Sequence, residues 1–159
     1  MGGTKILVGR LRGEAFSEEG TIPSGPNATP ADTVSRAAGL IGALDPSPLG
    51  VGVGIAGLVE RETGTLISSP NMPGWRRSPV RSLFAQALQT GVTVDNDANA
   101  FAFGAVETGE IPGSGTWLLV TLGPGIGGTV VHNGEILYGT GFAGEFGHMT
   151  VKADGPPCA

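Results

Sequence analysis

Alternation of apolar and polar residues dominates the first part of the chain. Residues 5–11, KILVGRL, alternate in this way, and residues 14–23, EAFSEEGTIP, follow after a glycine turn. Side chains of a strand point alternately to its two faces, so both segments are predicted to be strands, paired as antiparallel neighbours. Residues 30–44 instead carry apolar positions at helical spacing, and Pro30 suits the start of a helix.

Strands and helices then alternate. Strands are predicted at 51–57 and 92–95, a hairpin within 55–64, and helices at 78–89 and 97–109. Beyond a Pro/Gly stretch at 111–115, a further strand set is predicted from TWLLVTLG (116–123), GGTVVHN and EILYG. Strands alternating with helices indicate the α/β class. We expect a first lobe at 1–112 and the start of a second at 113–159.

Composition narrows the function classes. A hydrophobic content of 40% is typical of a globular protein. The net charge is −5 and the chain has no run of basic residues, which argues against a nucleic-acid-binding groove. No apolar stretch approaches the ~20 residues of a membrane span, and no secretory apolar region opens the chain, so a cytoplasmic location is expected. The single cysteine, Cys158, cannot form an internal disulfide, which fits a reducing compartment.

Two glycine-rich turns are candidate phosphate sites. Residues 2–5, GGTK, offer backbone N–H groups, a hydroxyl and a positive charge, although a plain hairpin turn has the same composition. Residues 123–128, GPGIGG, match G-x-G-x-x-G, but a β-branched, hairpin-like segment follows them where a dinucleotide site requires a helix. A dinucleotide site is therefore not expected, and a glycine turn close to a phosphate remains open.

The stretch DNDANA (95–100) lies where an apolar strand meets a helix, the place where α/β proteins gather ligands. Asp97, at the helix N-terminus, is favoured in its ionised form by the helix dipole and can accept a proton from a substrate hydroxyl. Asn96 and Asp97 can equally serve only as helix caps.

Glu145 and His148 are three residues apart in GEFGHM (144–149), so on a helical turn they share one face. Such a pair can hold a polyhydroxylated ligand or a metal, whereas a lone histidine on an apolar segment is more often structural. Trp75, in the loop at 70–75, can stack on a sugar or anchor packing. His132 adjoins an Asn-Gly turn and is expected to face solvent.

Taken in order, these motifs resemble the ROK family of bacterial sugar kinases and sugar-responsive repressors. The segments that carry the resemblance are GGTK, GVGIAGLVERETG, SSPNMPGW, VDNDANAFAFG, LVTLGPGIGG and GFAGEFGHMTVKADGPPC. The resemblance implies the actin-like, ribonuclease H-like ATPase fold, in which two α/β lobes close over sugar and ATP. It also implies a first lobe nearly complete but lacking its first strand, and a truncated second lobe.

The resemblance implies a role for each motif. Asp97 is the expected general base of an ATP-dependent, glucokinase-like hexose kinase. The implied sugar-binding residues are Gly57, Asn71, Asn96, Glu145 and His148. The implied phosphate-binding residues are Gly2, Gly3, Thr4, Lys5, Gly123, Gly125 and Gly127, with Mg²⁺ between the two turns. A structural Zn²⁺ is implied at His148 and Cys158, with two further cysteines that do not follow here.

The chain also departs from the family pattern. It begins at Met1, where the family carries a strand ending in a magnesium-associated aspartate two residues before GGTK. Pro124 replaces a threonine, Thr129 a glycine and Ala105 a glutamate, and the adenine-binding half is expected beyond residue 159. We therefore expect the 159-residue chain to fold marginally and to be inactive alone. Separately, the resemblance implies that the parent protein is a homo-oligomer.

Two alternatives remain. A sugar-binding transcriptional repressor of the same family would carry an upstream helix-turn-helix, and Pro124 and Ala105 lean slightly toward it. A ribonuclease H-like nuclease is disfavoured because Asp97 has no obvious carboxylate partner besides Asp95. The sequence leaves open which sugar is bound and whether ATP or polyphosphate is the donor.

Overall fold

The structure, a computed structural model, describes residues 1–13, 15–25, 28–123 and 125–155, without the side chains of 17–19. It divides into two compact units, Met1–Asp97 and Ala98–Ala159. This division falls at the start of a helix, one element before the predicted boundary at 112/113. The functional lobes at 1–112 and 113–159 stay a prediction.

The first unit contains the expected strands and helices. They are β1 (Lys5–Arg12), β2 (Ala15–Pro23), α1 (Pro30–Leu44), β3 (Val51–Ile55), β4 (Leu58–Glu60), β5 (Thr65–Ser68), α2 (Val80–Leu88) and β6 (Val92–Asn96). The second unit contains nearly all of α3 (Asp97–Glu107), then β7 (Thr116–Leu122), β8 (Ile126–His132), β9 (Glu135–Ile136) and the 3₁₀ turn Glu145–His148. The α/β class is confirmed. None of the helices in the described ranges is long and apolar enough to cross a membrane.

Helix α1 begins where its sequence signals place it. The Thr29 side chain accepts a hydrogen bond from the Asp32 N–H at 3.2 Å, and Pro30 occupies the first turn, where its missing N–H costs nothing. The helix ends at Leu44, after which Asp45 is extended. Its apolar face buries Val34 and Ala37 against the core.

The strands of the first unit pair in three separate ladders. β1 and β2 are antiparallel, β3 and β6 are parallel with Ile55 opposite Asn96, and β4 and β5 form a hairpin. The core behind them contains Ile55, Leu66, Phe84 and Val94, all at most 1% exposed. Because β3 and β6 are parallel, their carboxyl ends lie at one edge, and this edge positions the residues considered next.

In the second unit, β7 and β8 form an antiparallel hairpin that β9 extends. Val131 and Thr129 are fully buried on β8, whereas Leu118 and Leu122 on β7 are exposed.

Candidate functional site

Three predicted site residues meet at the carboxyl edge of β3 and β6. The Asn96 side-chain amide donates a hydrogen bond to the Gly57 carbonyl at 3.0 Å, joining the residues that follow the two strands. Asp97 is the next residue, the first of α3, and is exposed. The parallel pairing therefore places the Asp97 carboxylate beside the polar residues that follow β3 and end β6.

Gly57 holds the turn after β3 in a conformation that only glycine adopts readily. Its φ is +130°, and a Cβ there would lie 2.4 Å from the Ser68 carbonyl oxygen. The turn therefore packs tightly on the end of β5, from which the chain continues to Asn71. Asn71 is exposed, and its backbone packs so closely on Gly3 that a Cβ at Gly3 would lie 2.6 Å from the Asn71 oxygen. Gly57, Asn71 and the turn 2–5 are thus neighbours.

The turn 2–5 is tied back to β2 and α1. It closes through the Gly2 N–H and the Lys5 carbonyl at 3.1 Å, and the buried Ser24 hydroxyl donates to the Gly2 carbonyl. Arg36 on α1 donates to the Ser24 carbonyl at 2.6 Å. Thr4 and Lys5 remain exposed. Sequence reasoning missed Ser24 and Arg36, because no local pattern distinguishes a residue that acts through contacts distant in sequence.

The Met1 amine connects this turn with Asp97 electrostatically. It donates to the Gly54 carbonyl of β3. Burial lowers the pKa of this amine, and the negative charge of Asp97 partly opposes that shift. The charge of Asp97, the predicted base, is therefore felt at Met1, the residue that precedes the candidate phosphate-binding turn 2–5.

In the second unit, Glu145 and His148 share one side of the 3₁₀ turn, as predicted. Their Oε2 and Nε2 atoms are 3.6 Å apart, and both side chains are well exposed. The turn packs directly on β8, since a Cβ at Gly144 would lie 2.2 Å from the Gly128 oxygen, and one at Gly147 equally close to the Ile126 oxygen. Gly144 and Gly147 therefore determine how closely the turn that carries Glu145 and His148 packs on β8.

The second glycine turn is described on either side of Pro124, which lies outside the described residues. The Gly123 N–H donates to the Gly125 carbonyl at 3.0 Å, and both glycines are exposed, as a phosphate site requires. Gly127 lies within β8, where a Cβ would be 2.6 Å from the Thr121 hydroxyl.

Thr129, which stands where the family resemblance implies a glycine, makes a structural contact from β8. It is fully buried, and its hydroxyl donates to the Asn99 side-chain oxygen at 2.8 Å, tying β8 to α3. Sequence reasoning recorded Thr129 only as a departure, since its partner lies on another element.

Metal binding gains no support from the described side chains. No group of three or more His, Cys, Asp or Glu in these parts of the chain is arranged to hold a metal ion. Cys158, predicted as a zinc ligand with His148, lies outside the described residues. A single histidine fits neither a tetrahedral zinc site nor an oxygen-ligated magnesium site, so both metals remain predictions.

The structure also describes Trp75, for which two roles were open, and His132, which was expected to face solvent. Trp75 anchors packing, because it is 3% exposed and its indole N–H donates to the Ala28 carbonyl at 3.1 Å. His132 is exposed, as expected, and its ring nitrogens contact Thr116 Oγ1 at 2.8 Å and Asn133 Nδ2 at 3.1 Å.

Comparison with known proteins gives a consistent assignment. The ROK family matches residues 1–159. A glucokinase of Halalkalibacterium halodurans is 43% identical over 112 residues, which cover 69% of this chain and 34% of that protein. A xylose repressor of Caldicellulosiruptor bescii is 35% identical over 112 residues, which cover 70% of this chain and 28% of that protein.

A solved structure extends the likeness to the fold. The ROK family glucokinase of Streptomyces griseus, in complex with glucose and AMPPNP, superposes with a TM-score of 0.86 at 31% identity, covering 98% of this chain and 50% of that one. The chain therefore spans about half of that kinase and about a third of the two sequence relatives. It belongs to the ROK family and has the family's actin-like ATPase fold.

Proposed function

We propose that this chain supplies the sugar site and the catalytic base of an ATP-dependent hexose kinase of the glucokinase type. The observation that carries the proposal is the Asn96–Gly57 hydrogen bond, which gathers two predicted sugar ligands beside Asp97. The turn 2–5 packs on Asn71 next to them. Similarity to glucokinases, one of them solved with glucose and AMPPNP, supports the same activity.

In this proposal Asp97 takes the proton from the attacking sugar hydroxyl. A carboxylate suits that task because phosphoryl transfer needs an oriented nucleophile and a nearby proton acceptor. The carbonyl and amide groups of Gly57, Asn71 and Asn96 bind the remaining hydroxyls. Glu145 and His148 are proposed to contribute from the second unit.

The phosphates of ATP are assigned to the two glycine turns. Backbone N–H groups and Lys5 in the turn 2–5 stabilise negative charge, and Gly123, Gly125 and Gly127 are proposed to do so from the second turn. Bound Mg²⁺ would neutralise phosphate charge. No group of three or more His, Cys, Asp or Glu among the described residues could hold it, and no step is assigned to it.

A chimera tests the proposal, with residues 1–159 replacing the matching half of the Streptomyces griseus glucokinase. It is expected to phosphorylate glucose with ATP. Asp97→Asn should lower kcat by about 10²–10⁴-fold with little change in glucose binding, because only proton transfer is lost. Asp95→Asn is the matched control, since an asparagine Oδ1 can still accept the Asn96 N–H as Asp95 does at 2.7 Å. Full kcat in the Asp97→Asn chimera would exclude Asp97 as the base.

Similarity to a xylose repressor supports a second candidate, a sugar-sensing repressor that binds sugar without phosphorylating it. The same chimera separates the two. Sugar binding together with phosphorylation favours the kinase, whereas sugar binding by a folded chimera with no turnover favours the repressor. Varying the sugar in this assay also identifies the substrate.

A further inference from the structure

Gly128 is the one glycine of residues 123–128 to which the proposed function gives no contact. It is buried within β8, and its φ lies outside the left-handed region that favours glycine. A side chain is therefore excluded at this position by lack of space and not by backbone conformation. The residue that fills the space is Phe146, which lies in the 3₁₀ turn between Glu145 and His148.

The tip of the Phe146 ring points at the Cα atom of Gly128. A Cβ on Gly128 would overlap the ring Cζ and would lie within 2.6 Å of both Cε atoms. The Phe146 side chain is half-buried, and the Gly128 backbone beneath it is buried. The ring therefore enters, end-on, a notch in β8 that exists only because residue 128 has no side chain.

The 3₁₀ turn also meets β8 on either side of the ring in sequence. Gly144 packs on the Gly128 carbonyl and Gly147 on the Ile126 carbonyl, each so closely that a Cβ would overlap the oxygen. Strand β8 is itself held by its ladder with β7 and by a side-chain hydrogen bond to α3. Because β8 is fixed on these sides, displacement of the ring is expected to move the turn and not the strand.

We propose that Phe146 is a positioning residue for sugar binding, because its ring, placed against Gly128, determines where Glu145 and His148 meet the sugar hydroxyls. The inference rests on the proposed function, in which those two residues bind sugar. Phe146 does not touch the sugar in this proposal, since the tip of its ring is directed at β8. Glu145 directly precedes Phe146 and His148 follows two residues later, so a shift of the ring carries both side chains with it.

Gly128→Ala tests the contact in the glucokinase chimera. The added methyl group must displace the ring, so the KM for glucose should rise by about tenfold, the effect of losing one or two hydrogen bonds to the sugar. The KM for ATP and kcat should change by less than about threefold, whereas a variant that only destabilised the fold would lower apparent kcat and leave both KM values unchanged. Gly113→Ala is the control, since nothing lies within 4 Å of a Cβ there.

A second substitution separates positioning from other effects of the methyl group. Leucine is shorter than phenylalanine, so Phe146→Leu leaves room for the methyl group that Gly128→Ala adds. The double variant should therefore recover most of the glucose affinity that Gly128→Ala loses, which is a strong coupling in a double-mutant cycle. No recovery, or a KM for ATP that rises as much as the KM for glucose, would overturn the proposal.

Calorimetric titration with glucose makes the result independent of turnover. The Kd for glucose should rise by about tenfold in Gly128→Ala and return toward the original value in the double variant. If the unsubstituted chimera binds glucose without phosphorylating it, the kinase proposal fails and the Kd values still decide the role of Phe146. If it folds and binds no glucose, both proposals fail. Equal glucose binding by the unsubstituted chimera and Gly128→Ala overturns only the role of Phe146.

Discussion

At the residue scale, Gly144 shows how a site can be shaped by the absence of a side chain. Its φ of −90° is open to any residue, so conformation does not require glycine there. The available space does require glycine, because the Gly128 carbonyl oxygen lies where the methyl group of an alanine would be. The backbone of β8 thus sets how closely the Glu145–His148 turn can approach.

Gly144→Ala should lower the free energy of unfolding of the second unit by about 1–3 kcal/mol, because a backbone atom cannot rotate away from the added methyl group. Hydrogen exchange of β8 amides under increasing urea measures the change. Gly104→Ala is the control, since nothing lies within 4 Å of a Cβ at that helical position. It should stabilise by about 0.5–1 kcal/mol through helix propensity. Equal effects of the two substitutions would contradict this account.

The Met1 amine predicts a pH dependence. Burial lowers its pKa below the ordinary 8.0 of the unfolded chain, so the folded state binds this proton less tightly. Between the lowered pKa and about 8, the unfolded chain carries more protons, and the free energy of unfolding should rise with pH. Below the lowered pKa the buried charged amine destabilises the fold fully, and above about pH 8 the amine is neutral in both states and no longer affects stability. Urea unfolding between about pH 6 and pH 9 measures the slope. An N-acetylated chain, which has no titrating amine, should lack this contribution; identical slopes would refute it.

At the element scale, helix α1 was predictable because its boundaries are determined by residues next to them in the sequence. Apolar spacing and Pro30 in the first turn act within a few residues, and the observed bounds equal the predicted ones. The Thr29 cap, which was not predicted, is equally local. The β1–β2 hairpin was equally accessible, since a glycine turn separates its two runs. The β4–β5 hairpin was predicted within 55–64, but its second strand, Thr65–Ser68, lies beyond that range. Such elements are specified by neighbours in sequence.

Thr29→Ala should destabilise the first unit by about 0.5–2 kcal/mol, because the Asp32 N–H loses the side-chain acceptor 3.2 Å away. The midpoint of urea unfolding measures the effect. Thr29→Ser keeps the hydroxyl and should retain most of the stability. A serine variant as unstable as the alanine variant would show that the methyl group, and not the cap, matters.

Side-chain contacts between residues distant in sequence were not accessible from the sequence. The Ser24 and Arg36 support of the turn 2–5 joins residues far apart in the chain, and so does the Thr129–Asn99 bond. The candidate site was recognisable as a set of motifs, because each motif is local. The Asn96–Gly57 bond that assembles part of it depends on the parallel register of β3 and β6, which no local pattern reports.

At the scale of the whole molecule, we predict that the 159-residue chain alone does not phosphorylate glucose. It spans half of the glucokinase that it superposes on. A coupled assay with ATP and glucose should give the rate of a mock preparation. Turnover above that rate, lost on Asp97→Asn, would contradict the prediction. Marginal folding also remains a prediction. Its physical basis is that, among the described residues, β1 pairs only with β2 and β3 only with β6.

The bond pair between Met1 and β3 has a practical consequence for producing the protein. The Met1 amine donates to the Gly54 carbonyl, and the Met1 carbonyl accepts from the Ala56 N–H at 3.0 Å. An affinity tag fused directly to Met1 replaces this amine by an amide N–H, which can still donate but carries no charge. The tagged protein should therefore lack the rise of unfolding free energy with pH that burial of the amine causes. Comparisons between laboratories therefore require the same residues ahead of Met1, or none.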